Sequence, residues 1–229
     1  MRLIPTLLVL TCACTTLNAV ESKPPWHGEA AGAVDCQRWS ERSAQEAPES
    51  RWSHRALWRW SRCLLKANAD PRPALLAMIQ ARMPEGYLSD AIAEAMGSDA
   101  LSVELRQAIV VSLDGRVTGE PAAAVAWGHA LLLPEDERTG ALRNVIAVDP
   151  KGWRGRHARV LLADRASPEE AALLFEAALK PHRGVISSLG HSEFGGSLET
   201  AERWLSLCRK HPELACEERA YQRRSELAK

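Results

Sequence analysis

The sequence predicts an all-α protein, built as a short right-handed α-solenoid from repeated helical units. Three stretches rich in Ala and Leu open with a proline, at Pro73, Pro121 and Pro168, and the later two openings follow their predecessors by 48 and 47 residues. A period of this length is typical of helical repeats, and each unit of such an array buries its apolar face against a neighbouring unit. Phe and Tyr number two each, whereas Ala, Leu, Arg and Glu, all good helix formers, are abundant.

Prolines mark the ends of the individual helices as well. A second proline closes each of the three stretches, at Pro84, Pro134 and Pro181. Proline is accepted in the first turn of a helix and breaks a helix elsewhere, so these residues define boundaries. We predict helices over residues 36–47, 50–68, 73–83, 86–97, 101–114, 121–132, 135–147, 152–164, 168–179, 182–189, 197–209 and 212–227.

The first 19 residues have the pattern of a secretory signal peptide. A basic start at Arg2 precedes a short apolar run, and the small residue Ala19 precedes a plausible cleavage point. The apolar run is shorter than the roughly 20 residues that span a bilayer. We therefore predict a signal peptide over 1–19, a flexible leader over 20–34 and a single helical-repeat domain over 35–229.

The expected location is periplasmic or secreted, and no later segment has the pattern of a transmembrane helix. A competing interpretation makes Cys12 or Cys14 the lipidated first residue of a bacterial lipoprotein. The local string around these two cysteines lacks the leucine that usually stands three residues before a lipidated cysteine. Secretion without a lipid anchor is therefore the favoured interpretation.

Four cysteines remain after cleavage, and an even count in an exported chain indicates two disulfides. Cys36 and Cys63 flank a predicted helical hairpin, so antiparallel helices bring them to matching heights. Cys208 and Cys216 likewise flank the break near Pro212. We predict the pairs Cys36–Cys63 and Cys208–Cys216, which join the helices of the two terminal hairpins. A metal site is disfavoured because no second pair of ligands accompanies these cysteines at the spacing that zinc requires.

Charge and motif content exclude several functional classes. Residues 1–19 hold one charged residue, Arg2, which leaves 28 basic against 29 acidic residues in the mature chain. A near-neutral chain is not typical of nucleic-acid binding, which favours strongly basic proteins. The sequence holds none of the common metalloprotease, serine-hydrolase, P-loop or dinucleotide-binding motifs. We therefore expect no cofactor, no metal and no nucleic-acid partner, and we favour a protein without catalytic activity.

The repeat is clearest at charged turn positions. An aspartate, an arginine seven residues later and an alanine two residues further recur at a distance of 50 residues: Asp99, Arg106 and Ala108, then Asp149, Arg156 and Ala158. This pattern resembles the HEAT-like family of helical repeats over about residues 73–209. The resemblance implies that the Asp and Arg side chains form a structural ladder between repeats. Each unit here has an apparent third helix, and the last unit lacks the Asp/Arg pair, so tetratricopeptide-like or irregular stacking stays open.

The second predicted helix carries the strongest candidate for a binding surface. Arginines recur at helical spacing beside tryptophans, and the candidate residues are Arg51, Arg55, Arg59, Arg62, Trp52 and Trp58. Guanidinium groups bind anions through two parallel hydrogen bonds, and indole rings offer stacking faces, so the pattern suits an anionic partner. A solvated basic stripe beside a buried tryptophan cluster is the simpler interpretation, and the sequence alone favours it.

A glycine-rich loop holds the second candidate, His191 with Glu193. Loops on a rigid scaffold often carry function, although adjacent residues rarely converge on one site. A mobile loop without function is the alternative interpretation of this segment.

Together these features favour an exported non-catalytic binding or scaffold protein, whose partner is a protein of a bacterial cell envelope. An immunity protein that neutralises a periplasmic toxin is one form of this class. The alternative is an envelope glycan- or lipid-binding protein, or an enzyme, that uses the Arg/Trp-rich first hairpin.

Overall fold

The structure is a computed structural model and describes residues 23–30, 35–180 and 197–228. Over these residues the chain is helical and contains no strand, which confirms the predicted all-α class. The α-helices are α1 Cys36–Gln45, α2 Arg51–Lys66, α3 Arg72–Gln80, α4 Glu85–Met96, α5 Val103–Leu113, α6 Gly119–Leu132, α7 Arg138–Val148, α8 Trp153–Ala163, α9 Pro168–Leu179, α10 Ser197–Lys210 and α11 Glu217–Leu227.

Local signals in the sequence set many of the helix starts. Helices α2, α5 and α9 begin after a serine whose hydroxyl accepts a hydrogen bond from the backbone N–H three residues later: Ser50, Ser102 and Ser167. Such a cap satisfies a backbone donor that has no partner within the helix. Pro73, Pro121 and Pro168 all lie in the first turn of a helix, as predicted.

The last predicted helix differs from the structure. Residues 212–227 were expected to form one helix, but Pro212–Leu214 form a 3-10 turn and α11 begins only at Glu217. Between them Ala215 takes a left-handed conformation with φ of 49°. This break turns the chain so that Cys216 reaches α10. The predicted helix over 182–189 lies outside the described residues.

The helices pack chiefly on their neighbours along the chain. Each helix from α1 to α11 contacts the next, and α2, α4, α6 and α8 also contact one another in that order. Helix α6 packs closely on α4 at Gly128, where a Cβ atom would lie 2.7 Å from the Met96 side chain. Several small residues of α6 are buried as well, among them Ala123, Ala124 and Ala130.

The apolar core is divided into four clusters that follow one another along the chain. The clusters centre on Trp39 with Trp52, on Met78 with Ile92, on Leu142 with Val145, and on Phe175 with Trp204. Each cluster is formed by helices close in sequence.

Both predicted disulfides are present. Cys36 at the start of α1 is bonded to Cys63 in α2, with Cα atoms 5.4 Å apart. Cys208 in α10 is bonded to Cys216, with Cα atoms 5.5 Å apart. Each bond joins the helices at one end of the chain.

The described part of the predicted leader, residues 23–30, contacts the first helical hairpin. A 3-10 turn at Pro25–Gly28 inserts Trp26 into the first core cluster, where the residue is only 7% exposed. Its ring meets those of Trp39 and Trp52 edge to face, with centroids 5.8 and 6.3 Å apart. Burial of this large ring holds the turn against the first hairpin.

The charged residues at the repeat positions bind backbone groups. The Asp149 carboxylate accepts hydrogen bonds from the N–H groups of Gly152 and Gly155 at the start of α8, and Arg106 donates to the Met96 carbonyl. A side chain at Gly155 would collide with the Asp149 carbonyl, so the turn requires glycine there. The HEAT-like resemblance itself stays a prediction.

None of the helices in the described ranges is long and apolar enough to cross a membrane.

Candidate binding groove between helices α2 and α4

A groove of about 450 Å³ runs between α2 and the start of α4, and we call it the α2–α4 groove. Its lining residues are Arg51, Trp52, His54, Arg55, Trp58, Met83, Pro84 and Tyr87. Four of the six candidate residues on the second helix, two arginines and two tryptophans, therefore meet in one place. The structure gives this predicted surface a second wall, made by α4.

Helical periodicity places the α2 residues in the groove. Arg51, Arg55 and Trp58 are four and then three residues apart, so their side chains lie on one face of the helix. Trp52 lies on the adjacent face and is buried. It lines the groove, and its ring also meets that of Trp26.

The floor and far wall of the groove are apolar. The rings of Trp58 and Tyr87 meet edge to face with centroids 6.1 Å apart. Met83 also lines the groove and is buried, whereas Tyr87 is 60% exposed. A large aromatic ring that remains this exposed contributes little to the core and is available to a partner.

The rim of the groove is positively charged. The guanidinium carbons of Arg51 and Arg55 lie 4.5 and 6.0 Å from the centroid of the Trp52 ring. Of the residues that the structure describes, none that lines the groove is an acid. The nearby Glu49 is hydrogen-bonded to Arg82 at 3.2 Å, outside the groove lining.

His54 contributes a hydrogen-bonded polar group to the lining. Its Nε2 lies 2.9 Å from the carbonyl oxygen of Ala81. This contact joins α2 to the end of α3 and fixes the imidazole against the backbone.

Arg62 lies just beyond the groove, next to α4. Its Nε donates to the Glu94 carboxylate at 3.0 Å, and its guanidinium carbon lies 5.9 Å from the Trp58 ring centroid. Because this arginine already has an ion-pair partner, it holds α2 to α4 rather than adding charge to the groove.

Arg59 does not lie on the exposed face of α2 with Arg51 and Arg55. This corrects the sequence-based prediction, which placed it with the exposed arginines. Arg59 is only 9% exposed. Its two Nη atoms donate hydrogen bonds to the carbonyl oxygens of Trp26 and His27, at 3.0 and 2.8 Å. Burial, followed by repulsion from Arg55, lowers the pKa of Arg59. Residues spaced four apart drift around a helix by about 40° per step, so the third arginine of the series points toward the leader.

The second sequence candidate, His191 with Glu193, lies outside the described residues. Within residues 23–30, 35–180 and 197–228 no three His, Cys, Asp or Glu side chains form a group that could hold a metal ion. His157 packs against the rings of Trp127 and Trp153, with centroids 6.0 and 5.7 Å away.

Sequence reasoning missed the residues that α4 and its preceding turn contribute, namely Met83, Pro84 and Tyr87. One signal for Tyr87 was present. The buried residues of α4 include Leu88, Ala91 and Ile92, so Tyr87 is a large aromatic residue off the apolar face of an amphipathic helix. Such a position points to a surface that meets a partner.

Comparison with known proteins gave no relative from which to infer a function. No protein-family model matches the chain, and no curated protein or solved structure is significantly similar to it. The groove is therefore interpreted from its own chemistry.

Proposed function

We propose that this chain is an exported, non-catalytic binding protein of the bacterial cell envelope, and that its partner is another protein. The observation that carries the proposal is the α2–α4 groove, which combines an exposed aromatic wall with two arginines and no lining acid. Aromatic residues and arginine are the residue types enriched where proteins bind one another.

The chemistry of the lining supports binding rather than catalysis. Guanidinium and aromatic groups hold anionic and apolar groups, but they do not act as nucleophiles. The lining holds one histidine, His54, whose Nε2 lies 2.9 Å from the Ala81 carbonyl oxygen.

The two disulfides support an exported protein. Such bonds persist in oxidising compartments and are rare in the reducing cytosol of most organisms. Here they hold the terminal hairpins together, at Cys36–Cys63 and Cys208–Cys216.

The order of helix packing supports a short right-handed solenoid of HEAT-like units as the scaffold. Consecutive contacts and four successive core clusters are what an array of stacked units requires. Solenoids present extended surfaces to protein partners.

The test is affinity capture from an extract of the native cell envelope, with the mature, oxidised protein as bait. Arg55→Glu is the site variant, because Arg55 is exposed and has no ion-pair partner among the described residues. Arg143→Glu is the matched control, because Arg143 is exposed on α7 and its pair with Glu170, at 3.4 Å, is of the surface kind that adds little stability.

The proposal predicts one protein recovered in stoichiometric amount, which then binds the bait when both are purified. Arg143→Glu should recover the same protein. Recovery of glycan or lipid without protein would replace the proposal with the envelope-ligand alternative, and turnover of an envelope substrate by the purified chain would contradict it.

A further inference from the structure

Residues 23–30 lie across the first helical hairpin, and we call them the Trp26 strap. The strap bridges both helices of the hairpin, because the Trp26 ring meets Trp39 of α1 and Trp52 of α2. Its carbonyl groups accept hydrogen bonds from Arg59 of α2. Docking of the strap therefore depends on the position of α1 relative to α2.

An ion pair to α1 fixes the end of the strap. The Arg42 guanidinium donates to both carboxylate oxygens of Glu29, at 2.8 and 3.2 Å. The central carbon of the same guanidinium lies 4.6 Å from the centroid of the Trp39 ring. A two-point pair of this kind has a defined orientation as well as a defined distance. A displacement of α1 therefore disturbs this pair and moves Trp39 away from Trp26.

The Cys36–Cys63 disulfide holds α1 against α2 beside the strap. Helix α1 packs chiefly on α2, and the bond links the two helices at the end away from the turn that joins them. Trp39 follows Cys36 by three residues and Arg59 precedes Cys63 by four, so each lies one helical turn from the bond. Opening of the bond therefore frees α1 at the place where the strap is held.

The two disulfides differ in their access to a reductant. Cys36 is half-buried, whereas Cys63, Cys208 and Cys216 are buried. A thiolate attacks a disulfide at a sulfur that it can reach, and exposed bonds are the labile ones. The N-terminal bond should therefore open before the C-terminal bond.

We infer that the Cys36–Cys63 disulfide is a redox switch that controls docking of the Trp26 strap. A dithiol reductant, the class to which thiol–disulfide oxidoreductases belong, attacks Cys36 Sγ through one thiolate. The S–S bond breaks, and Cys63 Sγ leaves with the electron pair and takes up a proton. The second thiol of the reductant then displaces Cys36 Sγ from the mixed disulfide. Two electrons and two protons pass to the protein, which gains two thiols, and the reductant becomes a disulfide.

The switch reaches the α2–α4 groove through Trp52. This residue lines the groove and meets the Trp26 ring of the docked strap, so release of the strap removes one of its contacts. The switch itself does not depend on what the groove binds.

Stepwise reduction of the mature, oxidised protein provides the test. Samples are equilibrated with dithiothreitol at increasing ratios of its reduced to its oxidised form, and free thiols are then blocked with iodoacetamide. Peptide mass spectrometry identifies the alkylated cysteines. Chymotrypsin is applied in parallel, because cleavage after Trp26 reports release of its buried ring, and circular dichroism measures the helix content.

We expect the N-terminal cysteines to be alkylated at a lower ratio than the C-terminal pair. Cleavage after Trp26 should appear over the same range, while the helix content is kept. Coupling between two events is reciprocal, so a variant that cannot dock its strap should be easier to reduce. Trp26→Ala should lower the ratio for half reduction of Cys36–Cys63 by at least about fivefold.

Two further variants make this comparison specific. Glu29→Gln removes only the ion pair at the end of the strap, and it should lower the same ratio by a smaller factor. Trp153→Ala is the matched control, because it removes an exposed tryptophan of α8, and it should leave the ratio unchanged.

Reduction of both bonds at the same ratio, or of the C-terminal bond first, would overturn the inference. A strap that resists chymotrypsin after the N-terminal bond has opened would also overturn it, as would an unchanged ratio for Trp26→Ala. Loss of helix content together with strap release would show global unfolding instead of a switch. The test needs no partner, so its outcome is separate from that of the proposed function.

Discussion

Arg59 illustrates how one side chain can change its role between sequence and structure. By spacing it belongs with the exposed arginines of α2, yet it lies beneath the leader and donates to two backbone carbonyls. Its guanidinium also stacks on Trp39, with its central carbon 4.8 Å from the ring centroid. A buried charge of this kind is stabilised by its hydrogen bonds and ring contact. Its removal takes away the donor to the His27 carbonyl and one of the two donors to the Trp26 carbonyl, which also accepts from the Glu29 N–H.

Arg59→Met should therefore lower the free energy of unfolding by about 2 kcal/mol or more, since hydrogen bonds to charged groups contribute roughly that amount. The exposed neighbour provides the control, and Arg55→Met should change stability by less than about 0.5 kcal/mol. Urea unfolding followed by tryptophan fluorescence measures both. Equal stabilities of the two variants would show that the leader is not held by Arg59.

Asp70 gives the chain a pH-dependent contact at the start of α3. Burial raises the pKa of this carboxyl, but hydrogen bonds from the Arg72 side chain and backbone outweigh burial and hold the pKa below its usual value of 3.8. A group whose pKa is lowered by folding stabilises the fold above its unfolded pKa. That stability is lost as the pH falls through the folded value.

The stability difference between the wild type and Asp70→Asn should therefore be constant near neutral pH and shrink as the pH falls below about 3.8. Arg72→Gln should reduce stability near neutral pH, because it removes the side-chain donor to the Asp70 carboxylate. Chemical unfolding at a series of pH values measures the effect. Parallel curves for wild type and Asp70→Asn through this acid range would rule out the contact.

At the scale of elements, local signals predicted most helices because they act within one turn. Capping serines and first-turn prolines define starts without reference to the rest of the fold. The break at Ala215 was not predictable in this way. An exposed alanine carries no preference for a positive φ, and the reversal is set by the partner that Cys216 meets on α10.

The candidate site likewise has residues that a local pattern predicts and residues that only tertiary packing brings together. Arg51, Trp52, Arg55 and Trp58 could be found because one helix repeats them at a fixed spacing. Tyr87 joins them through packing of α4 on α2, a contact between residues about thirty positions apart that no local pattern encodes. Trp26 was missed for the same reason, since its burial depends on Trp39 and Trp52.

The two disulfides should stabilise the terminal hairpins to different degrees. They close segments with sequence separations of 27 and 8 residues, and chain entropy favours the longer loop. The double variant Cys36→Ala/Cys63→Ala should lose about 3.5 kcal/mol, and Cys208→Ala/Cys216→Ala about 2.5 kcal/mol. Urea unfolding of both variants beside the oxidised wild type tests this order. A larger loss at the C-terminal hairpin would contradict it.

At the scale of the whole molecule, the proposed solenoid predicts an extended rather than a spherical shape. A compact chain of about 210 residues has a radius of gyration of about 17 Å. We expect small-angle X-ray scattering to give a larger value and an asymmetric distribution of interatomic distances. A symmetric distribution with a radius near the compact value would contradict the proposed solenoid.

The most direct test of the central claim, that the α2–α4 groove binds a protein partner, is photo-crosslinking in the native cell envelope. The variant Tyr87→p-benzoylphenylalanine places the photoreactive group on the exposed wall of the groove. We predict one crosslinked protein, which is lost when Arg55→Glu is added and is retained when Arg143→Glu is added instead. Crosslinks to no protein, or to one that Arg55→Glu leaves unchanged, would contradict the claim.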